Sequence, residues 1–85
     1  MPRTSRPTAD AARFGAIVMS HRKQLGWSRK KVAMRAGLTP QYLAIVEEGG
    51  NIPSLTTILE LTEVLGADVA AIMGELAAAR KRPPA

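Results

Sequence analysis

The sequence contains no cysteine, and aromatic residues make up only 4% of its 85 residues. Without cysteine, neither disulfide bonds nor thiolate metal sites are available. Because aromatic side chains are scarce, the core has to be built from leucine, isoleucine, valine and alanine, a composition that suits packed helices better than sheets. The sequence therefore predicts one all-α domain, near the lower size limit for folding without disulfides or metals.

Long apolar runs and catalytic groupings are also missing. No apolar run approaches the roughly 18 residues of a membrane span, and the N-terminal segment lacks the apolar stretch of a secretory signal. The chain has one histidine, no nucleophile with a histidine partner and no glycine-rich phosphate loop. We therefore expect a cytoplasmic protein without membrane contact that has no catalytic residues, no metal and no cofactor.

Charges of opposite sign lie in different parts of the chain, whose formal net charge is +5. Residues 36–79 contain acidic residues but no lysine or arginine, whereas residues 1–35 contain a single acid, Asp10. The basic residues of this first part are Arg3, Arg6, Arg13, Arg22, Lys23, Arg29, Lys30, Lys31 and Arg35. A molecule with one positive region attracts polyanions. A solvated basic surface that only maintains solubility is the alternative.

Capping residues and glycines divide the chain into five predicted helices. The first follows Thr8 or Asp10 and ends near Leu25, with a buried stripe formed by Phe14, Ile17, Val18, His21 and Leu25. Ser28 is the natural N-cap of a second helix over 29–36, which Gly37 ends. Thr39 and Pro40 start a third helix that runs to Glu48. Only a three-residue turn separates helices two and three, the spacing of a helix-turn-helix.

Two further helices complete the predicted domain. The fourth starts at Pro53-Ser54, with Leu55, Ile58, Leu61, Val64 and Leu65 as its apolar stripe, and the fifth follows Asp68. We expect residues 1–8 to be a disordered basic arm and residues 80–85 a basic, proline-rich tail. The helical domain is expected over 9–79, with the helix-turn-helix at 28–48.

From Phe14 to Met73 the sequence resembles the phage repressor and Cro type of helix-turn-helix domain (XRE-like), in register and without a gap. The matching residues are Gly26, Trp27-Ser28, Val32-Ala33, Ala36-Gly37-Leu38-Thr39, Tyr42-Leu43, Val46-Glu47, Gly49, Pro53-Ser54-Leu55, Leu61 and Leu65-Gly66. The resemblance implies a five-helix bundle of the lambda-repressor-like type. It also implies binding to double-stranded DNA, with the third helix in the major groove and frequent action as a homodimer.

The third helix has two faces at 100° per residue. Its outer face carries Gln41, Ala44, Ile45 and Glu48, and its core side carries Leu43, Val46 and Glu47. The resemblance places DNA base contacts on Pro40, Gln41, Ala44 and Ile45. Among these only Gln41 can make a bidentate contact, the pairing expected for adenine, while Ala44 and Ile45 offer apolar contact to a thymine methyl group.

Arg29, Lys30 and Lys31 crowd the first turn of the second helix, which is unfavourable next to the positive end of the helix dipole. A bound anion resolves this conflict. We therefore expect Ser28, Arg29 and Lys30 to contact a DNA phosphate, with a tolerated charge run on a solvent-exposed face as the alternative.

The resemblance implies further contacts outside these helix starts. It places phosphate contacts on Tyr42 and on backbone amides around Gly50 and Asn51. It also implies an ion pair between Arg22 and Glu47 that ties the first helix to the third and has a structural role. In the arm, Arg3 and Arg6 either reach into a minor groove or are disordered without contacting DNA.

Together these features predict a sequence-specific, DNA-binding and nucleoid-associated transcriptional regulator, expected to be dimeric. The alternative is a protein-interaction module, such as an antitoxin or accessory transcription factor, whose third helix docks a partner protein. An exposed Ile45 fits both interpretations, because exposed apolar residues also mark protein interfaces. RNA polymerase or a second regulator is a further expected type of partner. The sequence does not distinguish an activator from a repressor.

Overall fold

A computed structural model describes residues 8–81. Within this range the chain forms five α-helices and no strand, which confirms the prediction of an all-α five-helix domain. The helices are α1 (Ala9–Leu25), α2 (Arg29–Ala36), α3 (Pro40–Glu47), α4 (Leu55–Leu65) and α5 (Val69–Lys81). No helix in the described range is both long and apolar enough to cross a membrane. Arg3 and Arg6, expected in a basic arm, lie outside the described residues.

Four helices begin with the same local interaction, in which a serine or threonine hydroxyl accepts a hydrogen bond from a backbone N–H in the first turn. Ser28 accepts from Lys31 at 3.0 Å, and Thr39 accepts from Tyr42 at 3.0 Å. Thr8 caps α1 and Ser54 caps α4 in the same way. Each cap satisfies an N–H that has no partner within its helix. Thr8 therefore belongs to the helical domain and not to the preceding arm.

The fifth helix is longer than the sequence predicts. It continues to Lys81, so Arg80 and Lys81 lie in its last turn and not in a separate tail. Cations are favoured there because they oppose the negative end of the helix dipole. In addition, Nε of Arg80 lies 3.5 Å from Oδ2 of Asp10 in the first turn of α1.

One apolar core joins all five helices. Helix α1 packs against α3, α4 and α5, and α2 packs against α3 and α4. The buried residues of this core are Phe14, Val18, Val32, Ala33, Ala36, Leu43, Val46, Leu61, Leu65 and Ile72. Leu25 and Leu55, expected in the buried stripes, are exposed. Leu25 is the last residue of α1 and Leu55 the first of α4, so both lie at helix ends, where periodicity overestimates burial.

Helices α1 and α3 approach each other closely at Gly15. A Cβ atom there would overlap the carbonyl oxygen of Val46 and lie 2.8 Å from that of Glu47. Any side chain would push the two helices apart, because the obstacle is backbone. Gly15 therefore sets the distance between α1 and the C-terminal end of α3.

Replacing Gly15 with alanine is expected to lower the free energy of unfolding by about 1–3 kcal/mol through overpacking. At an unobstructed helix position the same change raises that energy by roughly 1 kcal/mol. Gly74 in α5 is the matched control, since a Cβ there meets nothing within 4 Å. Urea denaturation of both variants measures the difference. Similar stabilisation by G15A and G74A would contradict the close helix approach.

Candidate nucleic-acid interface

Residues 37–39 connect α2 and α3 in a tight turn. Gly37 adopts φ 74°, a left-handed conformation that glycine accepts without steric cost. The N–H of Leu38 then donates to the carbonyl of Ala33 at 2.8 Å, and Thr39 caps the next helix. The side chain of Leu38 packs against the core. The turn thus fixes the angle between the two helices by backbone hydrogen bonds and by burial together.

The structure gives α3 one buried and one outward side. Leu43, Val46 and Glu47 are buried. The outward side carries the residues expected to contact bases: Pro40 and Gln41 are exposed, Ala44 is half-buried and Ile45 is 45% exposed. Tyr42 is half-buried and packs against the core. The helix thus presents a row of small and apolar side chains with one amide, Gln41.

The buried side of α3 ends in an ion pair with α1. Nε of Arg22 donates to Oε2 of Glu47 at 2.6 Å, and Nη2 donates to Oε1 at 3.0 Å. The third nitrogen, Nη1, donates to the carbonyl of Trp27 at 2.9 Å. This is the pair that the family resemblance implies, and the carboxylate of Glu47 is fully buried. Removing one partner of such a pair costs about 3–5 kcal/mol, because a buried charge is left alone.

Arg29 is a third member of this cluster, and its contact with Glu47 was not expected from the sequence. Its Nε donates to Oε1 of Glu47 at 2.9 Å, so one carboxylate joins α1, α2 and α3. The signal was present in the spacing: Arg29 is three, four and seven residues before the buried Val32, Ala33 and Ala36, on the inner side of α2. The expected crowding of cations in this turn is therefore relieved partly from within the protein.

The pKa of Glu47 reflects two opposing effects. Burial alone would raise the pKa of this carboxyl, because it disfavours the charged form. Hydrogen bonds from Arg22 and Arg29, together with their positive charges, outweigh burial and lower the pKa below its ordinary value. Glu47 is therefore ionised at neutral pH.

Trp27 makes cation–π contacts with two further basic side chains of α2. Nζ of Lys31 lies 4.4 Å and Cζ of Arg35 lies 5.1 Å from the centroid of the indole ring, within cation–π range. The ring itself is half-buried and packs against the core. Lys30, also in the first turn of α2, is exposed.

The loop after α3 differs from the sequence-based expectation. Gly49 and Gly50 donate their N–H groups to the carbonyls of Val46 and Ile45, at 3.0 and 2.9 Å. These bonds close the end of α3, so the Gly50 amide expected to bind phosphate is already used. Gly49 also has no room for a side chain, since a Cβ would lie 2.8 Å from Cα of Ala12. Among the expected phosphate contacts of this loop, Asn51 remains exposed.

Comparisons with known proteins agree with this geometry. A family model described as helix-turn-helix matches residues 18–72, more than half of the chain. The chain is 34% identical over 50 residues to an HTH-type transcriptional regulator of Methanothermobacter thermautotrophicus, covering 59% of this chain and 72% of that protein. A second such regulator, from Sinorhizobium fredii, is 36% identical over 45 residues, covering 53% of this chain and 58% of that protein.

Two solved structures share the fold over most of the chain. The clp gene regulator ClgR of Corynebacterium glutamicum superposes with a TM-score of 0.75 and 26% identity, covering 85% of this chain and 94% of that one. The restriction-modification controller protein C.AhdI of Aeromonas hydrophila superposes with a TM-score of 0.72 and 31% identity, covering 76% of this chain and 98% of that one.

The lowered pKa of Glu47 predicts a specific pH dependence of stability. The folded pKa lies below the unfolded value of about 4.3, so the ionised cluster stabilises the fold fully above that pH. Its contribution is lost as pH falls through the folded pKa. We expect the unfolding free energy of the unmodified chain to exceed that of Glu47→Gln at pH 7, with the difference shrinking below about pH 4.3. Denaturation of both proteins between pH 2 and 7 measures it, and a difference that stayed constant would contradict the cluster.

Proposed function

The chain belongs to the Cro/C1-type helix-turn-helix family of DNA-binding domains, and we propose that it is a transcriptional regulator whose sequence-specific contacts to duplex DNA come from the outward side of α3. The observation that supports this most is the division of α3 into a buried side, ending in Glu47, and an exposed side with Gln41 and Ile45. A helix with one side exposed in this way fits the width of the major groove.

Base recognition by α3 depends on few groups. Gln41, in the first turn, is the only side chain of its outward row with a donor and an acceptor for a base edge, and adenine is its expected partner. Pro40, Ala44 and Ile45 contribute shape and contact to thymine methyl groups. We therefore expect a short, A·T-containing half-site.

Phosphate contacts are proposed for the rim of this surface. Lys30, which precedes α3 in the sequence, and Asn51, which follows it, are both exposed. Tyr42 lies in the first turn of α3. Ser28 contributes as the cap that holds the first turn of α2, since its hydroxyl already accepts from Lys31. Gly50 is withdrawn from this set because its N–H is bonded to Ile45. Such contacts fix the position of a protein on DNA and carry no base information.

A homodimer is the proposed active form, and its proposed surface lies around α4 and not on the buried side of α5. Ile72 of α5 is buried and closes the core of the monomer. Exposed apolar residues, here called the α4 cluster, lie instead on α4 (Leu55 and Leu59), just before it (Ile52) and on α5 (Met73). Ile52 and Met73 line a cavity of about 330 Å³ to which α4 contributes Ile58. A second copy can bury this apolar surface by a two-fold contact.

Selection of bound sequences from a random duplex pool by the purified chain tests DNA recognition. We expect an enriched motif with two half-sites about 34 Å apart, the spacing of one helical turn. Gln41→Ala should weaken the preference at one base pair of each half-site, by about 1–3 kcal/mol. Gln24→Ala, an exposed glutamine of α1, is the matched control and should leave the motif unchanged. An unenriched pool, together with a stable complex between α3 and another protein, would instead support a protein-docking role.

Sedimentation analysis tests the dimer surface. Leu55→Glu should convert the dimer into a monomer, because a charge placed in an apolar interface has to be desolvated without a partner. Met34→Glu is the matched control: Met34 is 69% exposed, like Leu55 at 70%, but belongs to α2 and not to the proposed surface. Dissociation by M34E, or a dimer that persists in L55E, would contradict this surface.

A further inference from the structure

The cluster around Glu47 has unequal partners. Arg22 is buried, and each of its three guanidinium nitrogens donates a hydrogen bond, two to Glu47 and one to Trp27. Arg29 donates to the same carboxylate through Nε alone, and its side chain is 39% exposed. Within residues 8–81 the Arg29 side chain donates no other hydrogen bond. Its two terminal nitrogens therefore remain available at the start of α2.

The charges of the cluster do not cancel. One carboxylate faces two guanidinium groups, which leaves one net positive charge. Because Arg22 is buried and each of its three guanidinium nitrogens is already hydrogen-bonded, the surplus charge belongs to the exposed end of Arg29. A guanidinium group has a rigid, planar fork of N–H donors that fits carboxylate and phosphate oxygens. With Nε held by Glu47, the opposite edge of the same plane is fixed in orientation.

We propose that Glu47 is a positioning residue for DNA binding: it holds Arg29 so that the terminal guanidinium nitrogens bind a phosphate of the DNA backbone. This inference rests on the proposed function and adds a role for a buried residue that touches no DNA. The bound state is an alternating row of charges, in the order Arg22, Glu47, Arg29 and phosphate. Holding the side chain in advance reduces the conformational entropy that is lost on binding.

The direction in which one charge substitution changes DNA affinity distinguishes this role from general electrostatic attraction. Glu47→Gln removes a negative charge, so simple attraction to a polyanion predicts tighter DNA binding. Positioning predicts weaker binding, because a glutamine holds Arg29 without an ionic bond. Glu48→Gln makes the same charge change one residue further on, at an exposed position. We expect it to leave binding unchanged or to tighten it.

The experiment measures dissociation constants for a fluorescein-labelled 24-bp duplex of mixed sequence, by anisotropy, over a series of KCl concentrations. Phosphate contacts do not depend on sequence, so the operator is not required. We expect E47Q to bind about tenfold more weakly than the unmodified chain, because Arg29 no longer holds its charge-assisted hydrogen bond to phosphate. Circular dichroism at the assay temperature confirms that the protein compared is folded. Tighter binding by folded E47Q would overturn the proposal.

Arg29→Gln tests the same interaction without removing the Arg22–Glu47 pair. It therefore provides the test if E47Q fails to fold. It should weaken binding about tenfold and make the slope of log K against log salt shallower by about 0.9, the value for one phosphate. Arg35→Gln removes an equal charge from the other end of α2 and should leave that slope unchanged. Equal slope changes in R29Q and R35Q would overturn the proposal while leaving DNA binding intact. Absence of salt-dependent binding by the unmodified chain would contradict the proposed function as well.

Discussion

The carboxylate of Glu47 is the point on which the arrangement of the first three helices depends. It is fully buried, and it accepts hydrogen bonds from Arg22 of α1 and Arg29 of α2 while it belongs to the last residue of α3. An ionised group in such a place is stable only while its partners are present. Any rotation of α3 that turned its outward side would therefore break bonds to two other helices at once.

This constraint matters because α3 is short. Eight residues are too few for a helix to persist by itself in water, so its orientation has to come from packing. Leu43 and Val46 supply apolar burial, and Gly15 allows the backbone of α1 to come within contact of the end of α3. The outward side is thus held by contacts on the opposite side of the same helix. Its chemistry remains modest, because Gln41 carries the one amide available for the base recognition we propose.

The parts of the fold that the sequence predicted well are those with local causes. Ser28, Thr39 and Gly37 determine helix ends through hydrogen bonds to residues three or four positions away, so composition and spacing were sufficient. The parts that were missed have non-local causes. The contact of Arg29 with Glu47 was missed because the two residues are distant in sequence, and the need for Gly15 arises only where two helices meet.

The start of α2 and the outward side of α3 are the proposed DNA-binding surface, and amide chemical shifts test that proposal most directly. Titration of the ¹⁵N-labelled protein with a mixed-sequence duplex should shift the amides of Lys30, Gln41, Ile45 and Asn51. It should also shift the Nε–H signal of Arg29, while amides of the α4 cluster, such as Leu59, change little. The largest shifts at Leu59 and its neighbours, with Lys30 and Gln41 unaffected, would contradict the account.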